Sequence, residues 1–139
     1  MKEQEKFDSH KAPAPVGLYP HARRVGNMLY LSGVGPRKRG SKDIPGVTLD
    51  AEGNITEYDI EKQCHSVFAN VRYILEDAGS SWDNIVDVTV FLTNMKEDFV
   101  TYNRIYAEYF KDNQPCRTTV EISSLPTPIG IELKVIATI

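Results

Sequence analysis

Apolar residues recur along this chain in two distinct rhythms. Ile60, Cys64, Val67, Phe68, Val71, Ile74, Leu75 and Ala78 return mostly at steps of three and four. That spacing predicts one face of a helix about 20 residues long. Thr56, followed three residues on by Asp59, resembles a capping box at its start. Gly79 is placed as the left-handed residue at its end. A second helix is expected where Phe99, Tyr102, Tyr106, Tyr109 and Phe110 share a side, with Pro115 helping to stop it. Elsewhere the period is two: Val86, Val88, Val90 and Leu92 alternate with Asp87, Thr89, Phe91 and Thr93, the signature of a strand with one apolar face.

Shorter strands are read at 22–25 and 28–33, joined by Gly26-Asn27 as a two-residue hairpin turn. Val47-Thr48-Leu49 and Ile55 flank a second turn, and 117–122 and 131–139 close the chain across a Pro-rich connection. The order β-β-β-α-β-α-β-β predicts an α+β, two-layer domain with two helices on one face of a mixed sheet. Apolar residues occur on both faces of the last strand, Ile131, Leu133 and Val135 against Ile136. A second copy of the domain is the simplest cover for the bare face, so a homo-oligomer is expected.

The 139 residues suffice for one domain, and residues 16–139 are assigned to it. Residues 1–15, charged and then Ala-Pro-Ala-Pro, read as a flexible tail. Apolar runs are too short to span a membrane and the N-terminus is too polar for a signal peptide, so a cytoplasmic protein is expected. Cys64 and Cys116 offer neither a disulfide framework nor metal-ligand spacing. The net charge of −3 is uneven: residues 1–42 hold nine Lys and Arg against three acids, and the remainder holds seven against sixteen. A basic segment on an acidic body implies an anion site or pairing between the two parts.

The most informative segment is Pro115-Cys116-Arg117-Thr118-Thr119-Val120-Glu121-Ile122. In a strand Arg117, Thr119 and Glu121 share one face, leaving Thr118, Val120 and Ile122 for the core. The first set is a cation, a hydroxyl and a carboxylate in a row about 13 Å long. Arg117, at the strand's start, is suited to fork onto a carboxylate, and a Glu121 lying deeper would have its pKa raised towards acid–base range. A cross-strand ion pair or a solvated face reads the same residues equally well.

Arg117-Thr118-Thr119-Val120-Glu121, together with Gly17-Leu18-Tyr19, Leu29-Tyr30-Leu31-Ser32-Gly33, Tyr102-Asn103-Arg104-Ile105-Tyr106 and Ile131-Glu132-Leu133-Lys134, resembles the YjgF/Rid family of enamine/imine deaminases. The resemblance implies a homotrimer of chorismate-mutase-like subunits with clefts between them and no metal or organic cofactor. It implies that Arg117 grips a substrate carboxylate, that Glu121 handles the hydrolytic water, and that Tyr19, Gly33 and Asn103 line the cleft.

Two stretches depart from the general pattern, Pro20-His21-Ala22-Arg23-Arg24 and Val34-Gly35-Pro36-Arg37-Lys38-Arg39. They look like the 2-aminomuconate deaminase branch, whose substrate is a dicarboxylate. A second carboxylate calls for a second cationic group, and His21 and Arg23 are chosen for it, ahead of Arg24 and Arg37. A monocarboxylate enamine of the 2-aminoacrylate type is the alternative substrate. Nucleic acid is disfavoured as a partner, because the body is acidic and no aromatic residue interleaves with Arg37-Lys38-Arg39. Cys64 and Trp82 are assigned to packing, Cys116 to a structural role and His65 to solvent.

Overall fold

A computed structural model describes residues 4–139. Helix α1 spans Ile60–Asp77 and helix α2 spans Met95–Phe110. α1 buries Ile60, Cys64, Val67, Phe68, Val71 and Leu75, the stripe given by its periodicity. Its N-cap is Asp59, not the Thr56 box: the Asp59 carboxylate accepts from the backbone N–H groups of Glu61 and Lys62. Thr56 lies upstream in a strand, its hydroxyl donating to the Thr48 carbonyl. At the other end Gly79 has φ +86°, as expected. Its N–H reaches Glu76 O and that of Ser80 reaches Leu75 O, a Schellman ending that satisfies two terminal carbonyls.

Among the described residues eight strands accompany the helices: β1 Gln4–Phe7, β2 Ala22–Val25, β3 Met28–Leu31, β4 Val47–Leu49, β5 Ile55–Tyr58, β6 Ile85–Leu92, β7 Cys116–Glu121 and β8 Ile131–Thr138. Six form one sheet in the order β1-β2-β3-β8-β6-β7, and β4-β5 stand apart as a hairpin. β6 and β7 pair in parallel, with α2 as their crossover, while the other described pairs are antiparallel, so the sheet is mixed. Val88, Val90 and Leu92 of β6 and Leu133 and Val135 of β8 are fully buried. Glu132, Lys134 and Ile136 of β8 alternate with them on the helix-free face and are half-buried.

Three further expectations are corrected. The segment read as a tail is folded from Gln4 onward: β1 pairs with β2, and Ser9 and Ala12 are buried. Residues 1–3 of that reading lie outside the described residues. The element order therefore begins with an extra strand; the turn at 50–54 joins two strands, as its flanking residues implied, and these count separately in the order. In β6 a register shift between Ile85 and Asp87 leaves Val86 unpaired, so Ile85 takes the inward place at 2% exposure and Val86 is 39% exposed.

The third correction concerns which residues face the core. β7 pairs in register with β6, Val88 opposite Arg117, Val90 opposite Thr119 and Leu92 opposite Glu121. Directly paired residues share a face, so Arg117, Thr119 and Glu121 lie on the helix-packed side. Thr118, Val120 and Ile122 are therefore not core; Thr118 is exposed and the other two only half-buried.

Replacing the true cap should cost more than replacing the apparent one. Asp59→Ala is expected to lower stability by about 1 kcal/mol, and Thr56→Ala by less than about 0.5 kcal/mol. Urea denaturation of the two variants checks the order; a larger loss for Thr56→Ala would refute the Asp59 cap.

Candidate functional site

Two groups of candidate residues emerge, on opposite sides of the sheet. The first belongs to the edge strand β7, whose helix-facing row is tied to α2 at three points. Arg117 Nη1 donates to Asn103 Oδ1 at 2.8 Å. Thr119 Oγ1 and the Tyr102 hydroxyl are hydrogen-bonded at 3.0 Å. Glu121 Oε1 accepts from the Met95 N–H, the first of α2, at 2.8 Å. The Arg117 guanidinium also lies over the rings of Tyr102 and Tyr106. Arg117 is exposed, and among the described residues no carboxylate lies within ion-pair distance of it. It is a cation with an open side.

Glu121 departs from its expected setting. It is exposed and its carboxylate serves the N-terminus of α2, where a negative charge is favourable. The deep, desolvated position foreseen for it does not exist. Asn103, foreseen as a cleft residue, holds Arg117.

The second group lines a cleft of about 120 Å³ formed by Val16, Tyr19, Gly33, Arg37, Ile129 and Glu132, among others. Tyr19 and Gly33 both line it. Glu132 is a desolvated carboxyl in this cleft. Burial raises its pKa above the usual carboxylate range, and the charge of Arg37 opposes the rise only in part. Its oxygen lies so close to Gly33 that a Cβ there would come within 2.6 Å of Oε2. Glycine thus gives the carboxyl room. Sequence reasoning passed over Glu132, although an acid between Ile131 and Leu133 in a strand is itself a signal: alternation sends it to the face the helices leave open.

The four groups considered for a second carboxylate sort cleanly. His21 is buried with both ring nitrogens engaged: Nδ1 accepts from the Ser9 N–H at 2.8 Å and Nε2 donates to the Pro13 carbonyl at 2.7 Å. It anchors the N-terminal segment and has no valence left for a ligand. Arg23 donates to Gln4 on the neighbouring strand, and Arg24 Nε donates to the Gly26 carbonyl. Arg37 alone reaches the cleft, its Nη2 resting on the Ala14 carbonyl at 2.9 Å.

The remaining candidates are placed as follows. Cys64 is buried, its thiol pushed up to about 12 by desolvation. Trp82 packs against Phe110 and donates to the Tyr109 carbonyl. Cys116 is exposed at the start of β7 and not packed into the structure as expected. His65, exposed, contacts the Tyr109 hydroxyl at 2.6 Å. Among the described residues no helix is long and apolar enough to cross a membrane, and no three His, Cys, Asp or Glu side chains gather where they could hold a metal ion.

Residues 9–139 match the family model described as Endoribonuclease L-PSP. The chain is 38% identical over 135 residues to a RutC family protein of Pyrococcus abyssi, covering 96% of each. It is 36% identical over 126 residues to the mitochondrial protein MMF1 of Saccharomyces cerevisiae, covering 91% of this chain and 78% of that one. Among solved structures it is similar to YyfA, from the conserved Rid protein family, of Yersinia pestis, with TM-score 0.84, 35% identity and coverage of 98% and 99%. E. coli TdcF with bound serine gives TM-score 0.83 and 28% identity, covering 97% and 98%.

The raised pKa of Glu132 has a consequence for stability. The folded chain holds this proton to higher pH than the unfolded chain does. Its favourable contribution is therefore present at low pH and lost as pH rises from the ordinary value of 4.5 through the folded pKa. Glu132→Gln is expected to match the parent chain near pH 4 and exceed it in stability at pH 7, measured by urea midpoints across that range. Equal midpoint differences at both pH values would show that Glu132 is not desolvated.

Proposed function

This chain belongs to the endoribonuclease L-PSP family, the family of YjgF, Rid and RutC proteins, and we propose that it is a hydrolytic deaminase of carboxylate-bearing enamines and imines that needs no metal or organic cofactor. The observation behind this reading is Glu132, a desolvated carboxyl facing a cleft beside Tyr19, Gly33 and Arg37. Such a carboxyl retains its proton to higher pH than an ordinary one, which suits it to giving up and taking back a proton beside a bound substrate. An enamine tautomerises to its imine by gaining a proton on carbon and losing one from nitrogen. Water then adds to the C=N carbon, the nitrogen is protonated, and ammonia leaves with formation of the C=O bond. Each step moves a proton and none requires a strong nucleophile.

Arg117 is proposed as the anchor, its open side accepting the substrate carboxylate. A charge-assisted pair of this kind contributes roughly 1.5–3 kcal/mol, enough to orient a small molecule. That TdcF, a relative, was solved with bound serine fits a site for small amine-bearing carboxylates. Arg117 and Glu132 lie on opposite faces of one sheet, so one copy alone does not bring them to a common substrate. We therefore place the site between copies, the β7 edge of one facing the Tyr19–Gly33–Glu132 cleft of the next, in a homotrimer. The proton-handling role foreseen for Glu121 passes to Glu132, and the second-cation role foreseen for His21 and Arg23 passes to Arg37. With that residue the preferred substrate is a dicarboxylate, 2-aminomuconate, and the alternative is a 2-aminoacrylate-type monocarboxylate. A nucleic-acid function, suggested by the endoribonuclease name, finds little support in the basic run. Arg37 and Arg39 both donate to backbone carbonyls of residues 9–14.

Ammonia release from enamines generated in situ tests the reading. Arg117→Lys should lower kcat/KM by more than tenfold, about 1.4 kcal/mol, because a point charge cannot fork onto a carboxylate. Glu132→Gln should reduce kcat strongly and Glu121→Gln hardly at all; the reverse order would return the role to Glu121. Arg37→Ala should cost 2-aminomuconate roughly 10–100-fold in kcat/KM, the scale of one charged hydrogen bond, and leave 2-aminoacrylate nearly unchanged. Equal losses would discard the dicarboxylate. No ammonia above the uncatalysed rate would discard the deaminase. Sedimentation at micromolar concentration should give about three times the 15.7 kDa chain mass; a monomer would remove the shared cleft.

A further inference from the structure

We propose that the rings of Tyr102 and Tyr106 form a platform that holds the Arg117 guanidinium in one orientation, so that it meets a carboxylate already aligned, and that Tyr106 is the positioning residue governing affinity for that carboxylate. The proposal rests on the reading of Arg117 as the anchor.

An arginine on an exposed edge strand would otherwise sample many rotamers, and fixing it at the moment of binding would weaken the complex. Here its Cζ lies 4.8 Å from the Tyr106 ring centroid and 5.5 Å from that of Tyr102. Both distances fall within the range of cation–π attraction, about 6 Å. The two tyrosines are one helical turn apart on α2, so they present adjacent rings to β7. Neither ring is free to move. Tyr102 is fully buried and bonded through its hydroxyl to Thr119. Tyr106 is packed between Tyr102, Phe68 and Phe110, with centroid distances of 5.8, 6.2 and 4.3 Å.

Asn103 fixes the remaining degree of freedom by accepting from Nη1. With one face of the guanidinium on the rings and Nη1 engaged, the edge formed by Nε and Nη2 has no carboxylate among the described residues. That edge presents two parallel N–H groups, the geometry a carboxylate accepts. The Tyr106 hydroxyl, by contrast, is buried and has no hydrogen-bond partner among the described residues. The ring, rather than the hydroxyl, is the part of Tyr106 that the site uses.

The test uses the full chain and pyruvate, an unreactive 2-oxo acid, with binding measured by calorimetry and folding followed by thermal melts. Tyr106→Phe is expected to bind pyruvate within twofold of the parent chain. Site-specific replacement of that phenyl ring by tri- and pentafluorophenyl rings, which reduce and then reverse the ring quadrupole at nearly constant size, should weaken binding stepwise to about tenfold. A purely packing role would leave affinity flat across this series, and that result overturns the platform. Tyr106→Leu should weaken binding similarly; if it does not fold, the fluorinated series still decides. Arg117→Ala separates the two ideas. If it binds pyruvate as well as the parent chain, or if the parent chain binds none, the anchor and the platform fall together. If binding requires Arg117 yet ignores fluorination, only the platform falls.

Discussion

In-register parallel pairing of β7 on β6 determines where Arg117 points, and most of the candidate chemistry depends on it. Strand side chains alternate, so a slip of one residue would carry Arg117, Thr119 and Glu121 to the opposite face. They would lose Asn103, Tyr102 and the first N–H of α2 together. The register is held from both sides. β6 is the neighbour of β8 as well as β7, and Val88, Val90 and Leu92 can be buried only on the helix side. The three polar contacts of the β7 row then fasten α2 along its length. β7 and α2 thus form one unit, built by a single strand–helix–strand crossover.

The basic N-terminal part shows how charge is used without ion pairing. Its excess of cations suggested either an anion site or attraction to the acidic body. Most of the contacts formed are of neither kind. Arg24 bonds the carbonyl of Gly26, Arg37 that of Ala14, and Arg39 those of Ser9 and Ala12. Among the described residues of this part only Lys11 forms an ion pair with the body, with Asp77, to which Ser9 also donates. With His21 bridging Ser9 and Pro13, these bonds satisfy the main chain of a Pro-rich segment that has few ladder bonds of its own. The segment in turn forms the wall behind Tyr19 and Gly33.

Legibility in the sequence followed the range of each signal. Both helices could be read because their stripes run for several turns, and the Gly26 hairpin and the Gly79 ending could be read because each needs a positive φ. β1 was missed because a short edge strand with exposed Gln4, Glu5 and Lys6 has no alternation to show. The Val86 bulge was missed because an extra residue in a run of valines does not alter its composition. The pairing of Arg117 with Thr119 and Glu121 was readable from a period of two, but which face that set would take was not. Periodicity separates two faces; only the partner strand says which is covered. His21 looked like a ligand group because sequence does not reveal that backbone atoms at Ser9 and Pro13 occupy both of its nitrogens.

The helix-free face sets the remaining constraint. Glu132 and Lys134 stand two residues apart on it, and desolvation moves both towards their neutral forms, the carboxyl upward and the amine downward. Lys134 has a partner in the Leu31 carbonyl. Glu132 has the charge of Arg37 nearby but accepts no hydrogen bond among the described residues. In the proposed trimer another copy would cover this face and remove more water from both groups, which a buried carboxylate tolerates only with donors supplied. The donors must then come from the covering surface or from whatever occupies the cleft. An edge strand that presents a guanidinium with an open side is such a surface. The bonding requirement of Glu132 and the open edge of Arg117 are therefore complementary, and a small molecule with a carboxylate at one end and a nitrogen at the other could satisfy both at once.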